Sequence, residues 1–147
     1  MTPEAIIATT GAGRDDAFRV RIAVFVEEQG IPRSEELDEA DASATHCVAY
    51  ADGVPVAAGR LVEGDRYAKV GRMAVLRAYR GRGYGAAVLR ALEREAWARG
   101  LREVRLSAQL HAAGFYARAG YVREGDVYDE VGIPHVAMRK RLSPAAG

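Results

Sequence analysis

The stretch Tyr79–Gly100, YRGRGYGAAVLRALEREAWARG, sets glycines at 81, 83 and 85 between arginines and runs straight into a helical pattern. Val88, Leu89, Leu92 and Ala96 recur at the spacing of one helix face, Glu95 stands four residues before Arg99, and Gly100 supplies a stop. The first amides of a helix lack intrahelical acceptors, and the helix dipole is positive there. Glycines leave no Cβ to hold a bulky anion away from those amides, and Arg80 and Arg82 add charge. The arrangement suits a pyrophosphate; it also suits a glycine-rich turn flanked by solvated arginines. Two other phosphate loops fit poorly. A P-loop needs Gly-Lys-Ser/Thr at the helix start, and the dinucleotide fingerprint needs G-x-G-x-x-G where this chain has G-x-G-x-G.

Upstream of the loop, EAIIATT predicts a short strand and RDDAFRVRIAVFVEEQG a helix, with Asp15 and Asp16 at its start and Gly30 at its end. Glu35–Asp41 is acidic and reads as a loop or short helix. Two apolar runs around Asp52-Gly53 predict a hairpin, and Pro55 places a bulge or an edge at the start of its second strand. RYAKVGRMAVL is the next strand. Downstream, REVRLSAQ alternates as a half-buried strand, HAAGFYARAG predicts a short helix, YVREGDVY and HVAMRK two last strands, and the residues from Pro144 a tail. The order is mixed α/β.

The 147 residues suit one domain, 1–147. With 21 basic and 20 acidic side chains there is no overall field for nucleic acid, so phosphate recognition has to be local. Cys47 is the only cysteine, which rules out an internal disulfide and a cysteine metal cluster. No His/carboxylate cluster shows metal-ligand spacing, so no metal is expected. No apolar run is long enough to span a bilayer, and the N-terminal residues lack signal-peptide character; a cytoplasmic location follows as an expectation.

Arg80-Gly81-Arg82-Gly83-Tyr84-Gly85 resembles the acetyl-CoA motif Arg/Gln-x-x-Gly-x-Gly/Ala of the GCN5-related N-acetyltransferases, placed as in that family between a strand and a helix. VFVEEQGIP, THCVAY, GRMAVLRAYRGRGYG, FYARAGY and EVGIPHVAMRK extend the resemblance over essentially the whole chain, to the small bacterial ElaA-like or YjcF-like branch. The resemblance implies an α/β (α+β) fold. Its central sheet is mixed, mostly antiparallel and splayed at the acetyl-CoA site, with helices on both faces. It implies acetyl transfer from acetyl-CoA to a primary amine of a small molecule or exposed peptide by direct attack. The alternative is a non-catalytic CoA-binding module on the same fold. No nucleic acid or membrane partner is expected, and a homodimer is compatible with this reading.

By the same resemblance, Met73, Ala74 and Val75 splay from the neighbouring strand at a bulge and pair with the pantetheine arm, and residues 80–85 (Arg80, Gly81, Arg82, Gly83, Tyr84, Gly85) donate to the pyrophosphate. Tyr116 matches the tyrosine near the acetyl-CoA sulfur. The chemistry asks for a neutral amine, a donor to the oxyanion and a proton for the leaving thiolate. A phenol with a pKa of about 10 can protonate a thiolate of similar basicity. The strand before the loop carries no carboxylate, which leaves the base open among Glu27, Glu28, His46, His111, Glu130 and His135. Glu28 is assigned as the catalytic carboxylate, and Glu27, Gln29 and His135 to the acceptor pocket. Arg72, a charge in mid-strand, faces the acceptor or pairs with the acidic segment.

Overall fold

Residues 3–144 are described by a computed structural model; the tail expected beyond Pro144 lies otherwise outside them. Seven strands, β1 (Ala5–Ile7), β2 (Thr45–Ala51), β3 (Val54–Glu63), β4 (Ala68–Val75), β5 (Glu103–Gln109), β6 (Val122–Glu130) and β7 (Ile133–Arg141), form one sheet in the order β1-β2-β3-β4-β5-β7-β6. Every pairing is antiparallel except β4 with β5, which are parallel. The parallel pair holds together only at Ala68–Val104 and Lys69–Arg105 and then parts, so the sheet opens into a V.

Helix α1 (Gly11–Arg21) starts four residues before the predicted aspartates. Thr10 is the reason: its hydroxyl accepts the Gly13 N–H at 3.1 Å and caps the helix. The helix runs on as a π-helical turn, Ile22–Glu28, a wider winding that is rare outside functional sites. The acidic segment folds as a one-turn helix α2 (Arg33–Glu36) and a 3₁₀ turn (Glu39–Ala42). Helix α3 (Tyr84–Ala98) follows the glycine loop as predicted, and the FYARAG segment forms α4 (Ala113–Arg118) after a 3₁₀ turn. The bulge expected near Pro55 is present, where Tyr50 pairs Pro55 but Ala49 pairs Ala57.

Strand alternation sends Val48, Ala58 and Ala74 to one face, where they meet Ala17, Val20, Val24 and Phe25 of the first helical segment. Cys47, Ala49, Ala57 and Leu61 point to the other face and pack under Val88, Leu89 and Leu92 of α3. Small residues on β3 let α3 approach closely. A Cβ on Gly59 would lie 2.6 Å from the Met73 Sδ and 2.9 Å from a Val88 methyl. Gly59→Ala is therefore expected to cost about 1–3 kcal/mol by overpacking, read as a lower urea midpoint at unchanged slope.

Candidate active site

The parting of β4 from β5 has a local cause. Between Arg60–Gly71 and Ala58–Ala74 two steps of β3 face three of β4, so β4 carries an extra residue there. Arg72 sits in that bulge with φ +53, a left-handed conformation uncommon for a residue with a Cβ. Its guanidinium anchors it: Nε donates to the Glu36 carbonyl at 3.1 Å and Nη2 meets Asp38 Oδ2 at 3.1 Å. The alternative left open for Arg72 thus resolves toward the acidic segment. Beyond the bulge, the Leu76 N–H returns to the Val56 carbonyl on β3 at 2.9 Å. Alternation along the strand then turns the polar groups of Val75 toward the open seam.

A cleft of about 1290 Å³ occupies the seam. Its donor-side wall includes Met73, Ala74, Val75, Arg80, Gly81, Gly83, Tyr84 and Gly85, all assigned there from sequence. Gly81 (φ +78) and Gly83 (φ +90) take backbone conformations that favour glycine. Gly83 caps α3 with no side chain, and the Ala87 N–H is bonded to its carbonyl at 3.0 Å; the amides of the first turn ahead of it have no intrahelical acceptor. Phe115 and Val75 pack beside Gly85 at the helix start, where a Cβ would meet each at ordinary contact distance, 3.4 Å. The cleft can thus take an extended polar chain along β4 ending in an anionic group at α3, the shape and chemistry of a pantetheine-pyrophosphate.

The two loop arginines differ in placement. The Arg80 N–H donates to the Arg77 carbonyl, its Nε to the Val75 carbonyl at 2.9 Å, and its Nη atoms to both oxygens of Glu28 at 2.8 and 2.7 Å. Arg80 therefore ties the loop to β4 and to the first helix, with three of its guanidinium N–H groups and its backbone N–H engaged within the protein. Arg82 lies over the Tyr79 ring, 5.4 Å from its centroid, and does not line the cleft.

The acceptor side needs similar correction. Hydrogen bonds from Arg80, with Arg77 added at 3.2 Å, hold the Glu28 carboxyl at about 2 against the opposing effect of burial. A carboxylate that acidic is a poor proton acceptor at neutral pH, so the geometry does not equip Glu28 as the base. Glu27 is exposed and not part of the cleft wall. Gln29 does line it, and exchanges two hydrogen bonds with Gln109 at the end of β5, at 3.1 and 2.8 Å. This amide pair bridges the first helix to β5. Gln109 Oε1 also accepts from His111 Nε2 at 2.6 Å, and the following helix has no side-chain cap from His111.

His135 is buried on β7, between Gln109 of β5 and Tyr128 of β6, and lines the cleft with Glu130. Tyr116 projects from α4 into the same cleft, packed edge-on against Phe115 and Tyr121. Burial pushes its phenol above the ordinary value. His46 is far from this chemistry: its Nε2 contacts the Asp41 carbonyl at 3.0 Å, and burial lowers its pKa. Gln109, Ser107 and Arg77 are wall residues that the sequence reading did not select. Only their positions at strand and turn ends hinted at them.

Among the described residues, no group of three or more His, Cys, Asp or Glu is placed to hold a metal, and no helix is long and apolar enough to cross a membrane. Residues 13–142 match the family model of the acetyltransferase (GNAT) domain. The uncharacterized N-acetyltransferase YjcF of Bacillus subtilis is 40% identical over 138 residues, covering 93% of this chain and 99% of YjcF. A solved structure from Lactobacillus plantarum superimposes with a TM-score of 0.88 at 35% identity, covering 97% of this chain and all of that one. Escherichia coli ElaA does so with a TM-score of 0.81 at 26% identity, covering 95% of this chain and all of ElaA. With its V-shaped sheet, glycine-opened helix start and these relatives, the chain belongs to the GNAT acetyltransferase family, in the ElaA/YjcF-like branch.

Proposed function

We propose that residues 1–147 form a single, cytoplasmic N-acetyltransferase domain that moves an acetyl group from acetyl-CoA to a primary amine of a small molecule or exposed peptide by direct attack. The observation that carries this reading is the open β4–β5 seam leading to the unpartnered amides of α3. Backbone groups of Met73–Val75 hold the donor's arm as an added strand would, and the Gly81–Gly85 amides take its pyrophosphate. Acetyl-CoA brings the activated thioester. A seam-facing strand amide stabilises charge on the carbonyl oxygen, and Tyr116 gives a proton to the departing sulfur.

Thiol release from acetyl-CoA in the presence of pooled monoamines, diamines, amino sugars and lysyl peptides tests the reading. Amine-dependent release is expected. Thermal stabilisation by CoA with no release from any amine would instead identify a CoA-binding module. In calorimetric titration, Gly83→Val should weaken acetyl-CoA binding at least tenfold, about 1.4 kcal/mol, in a protein whose circular dichroism is unchanged. The left-handed backbone at residue 83 and the branched side chain both act against the loop. Wild-type affinity in the folded variant would remove the pyrophosphate assignment.

A further inference from the structure

We infer that His135 is the general base of this site, with Nε2 as the accepting atom and Glu130 as its positioning partner. The inference rests on the acetyltransferase reading above. Its geometry is specific. Nδ1 of His135 lies 2.7 Å from the Ile133 carbonyl oxygen. A carbonyl can only accept, so Nδ1 carries a hydrogen, and Nε2 is the nitrogen whose lone pair can take a proton when the ring is uncharged. On that side Glu130 Oε2 stands 3.5 Å away, placed to meet an N–H once Nε2 has taken a proton. The Tyr128 ring stacks on the imidazole at 6.1 Å and 28°, which holds its plane. Tyr128 in turn contacts the Ser107 hydroxyl, so the stack is tied to β5. The ring thus has one nitrogen fixed by a backbone carbonyl, a set plane and a carboxylate beside its second nitrogen, so that Nε2 and Glu130 Oε2 are two neighbouring acceptors for an amine's N–H groups, and it lines the cleft that holds Tyr116.

The groups around His135 from the strands packed on it are Glu130 and Tyr128 on β6 and the uncharged Ser107 and Gln109 on β5, with His111 beyond. The wall's other carboxylates are Glu28, Glu35, Glu36 and Asp38, of which Glu28 is tied up by two arginines and Glu36 and Asp38 are paired with Arg21, Arg60 and Arg72. In the reaction, the lone pair of a neutral amine forms the N–C bond and the nitrogen becomes positive. Nε2 of His135 takes one proton from it. The C–S bond breaks with its electron pair going to sulfur, and sulfur takes the Tyr116 hydroxyl proton. The imidazolium proton returns to the tyrosinate through solvent, which restores both residues; amine and thioester have become amide and thiol.

His135→Asn and His135→Gln, assayed with the best amine of the pooled panel, separate this role from a structural one. The Asn amide nitrogen falls near the position of Nδ1 and can keep the Ile133 bond, while the Gln amide loses it. For a base, both variants lose kcat, by tenfold or more in His135→Asn, with its Tm and CoA affinity kept and the acid limb of its pH–rate profile flattened. Glu130→Gln should lower kcat by a smaller factor and leave Tm in place. Wild-type kcat in His135→Asn with a damaged His135→Gln would show that the ring only braces the 131–134 turn, and would overturn the inference. So would a lost Tm in both variants accompanied by wild-type kcat per folded molecule. If the unaltered protein releases no thiol with any amine, the acetyltransferase reading fails and this inference with it; turnover in the unaltered protein keeps the two failures apart.

Discussion

Asp41→Asn is expected to lose about 3–5 kcal/mol of folding stability, a large part of the roughly 5–15 kcal/mol that a domain has. Asp41 is the hub of a buried ion cluster. Its Oδ1 accepts from Arg21 Nη1 and Arg60 Nη1, each at 2.8 Å, and its Oδ2 accepts from Arg21 Nη2 at 3.1 Å and from the Asp38 N–H at 3.1 Å. Arg21 is fully buried and also reaches Glu36 Oε2 at 2.8 Å; Arg60 reaches both oxygens of Asp38. The three arginines 21, 60 and 72 thus face three carboxylates, 36, 38 and 41, with no surplus charge. Asn keeps the shape of the hub but removes its charge and turns an N–H₂ group toward two guanidinium groups. The cost is that of uncompensated buried charge.

The pH dependence has a definite sign. Burial alone would raise the Asp41 carboxyl, but hydrogen bonds from Arg21, the Asp38 amide and Arg60 outweigh it and hold it below the ordinary range. A carboxyl depressed in the folded state contributes stability above its unfolded pKa of about 3.9 and loses that contribution as the pH falls toward the folded value. The gap between the unaltered protein and Asp41→Asn should be level above about pH 5 and narrow below about pH 4. Glu36, raised by burial, acts in the opposite sense in both proteins. Urea unfolding across that range checks the shape; a gap under about 1 kcal/mol at neutral pH would show that water already reaches the cluster.

Tyr116→Phe should lower kcat by roughly 10- to 100-fold, with CoA affinity and Tm unchanged. The phenol is given a role late in the reaction, when charge has reached sulfur, so its removal touches the transition state more than the bound ground state. Its hydroxyl raises no structural objection to removal, because the ring contacts with Phe115 and Tyr121 survive in phenylalanine. Burial raises the phenol, which makes the transfer to a thiolate of ordinary basicity less favourable and sets the expected fall at the lower end of the general-acid range. Full kcat in the variant would show that water serves the thiolate. Weak CoA binding or early melting would assign the hydroxyl to holding the pocket.

What could be read from the sequence was what is encoded locally. The glycine loop, the helix behind it and the Asp52-Gly53 hairpin depend on residues within a few positions of one another. The start of α1 was also local, yet Thr10 was passed over for Asp15 and Asp16 because acidic first-turn residues are the louder signal. The ion cluster was not readable. Its members come from positions 21 to 72 on helix, turn and strand, and the acidic stretch that supplies half of them has the composition of a solvated loop. Glu28 misled for the same reason: its partner Arg80 is 52 residues away, and only the fold shows that each occupies the other. The free nitrogen of His135 depends on a backbone oxygen two residues away, which residue identity alone does not orient.

The narrow junction between β4 and β5 also falls at one place along the chain. Everything before Gly100 builds β1–β4 with α1 and α3, and everything after it builds β5–β7 with α4. The residues proposed for the donor, 73–85, and those proposed for proton handling, 116 and 135, therefore lie on opposite sides of that turn. Exchanging the chain beyond the Gly100 turn would interrupt one strand pairing, held by two residue pairs, while replacing one half of the cleft wall.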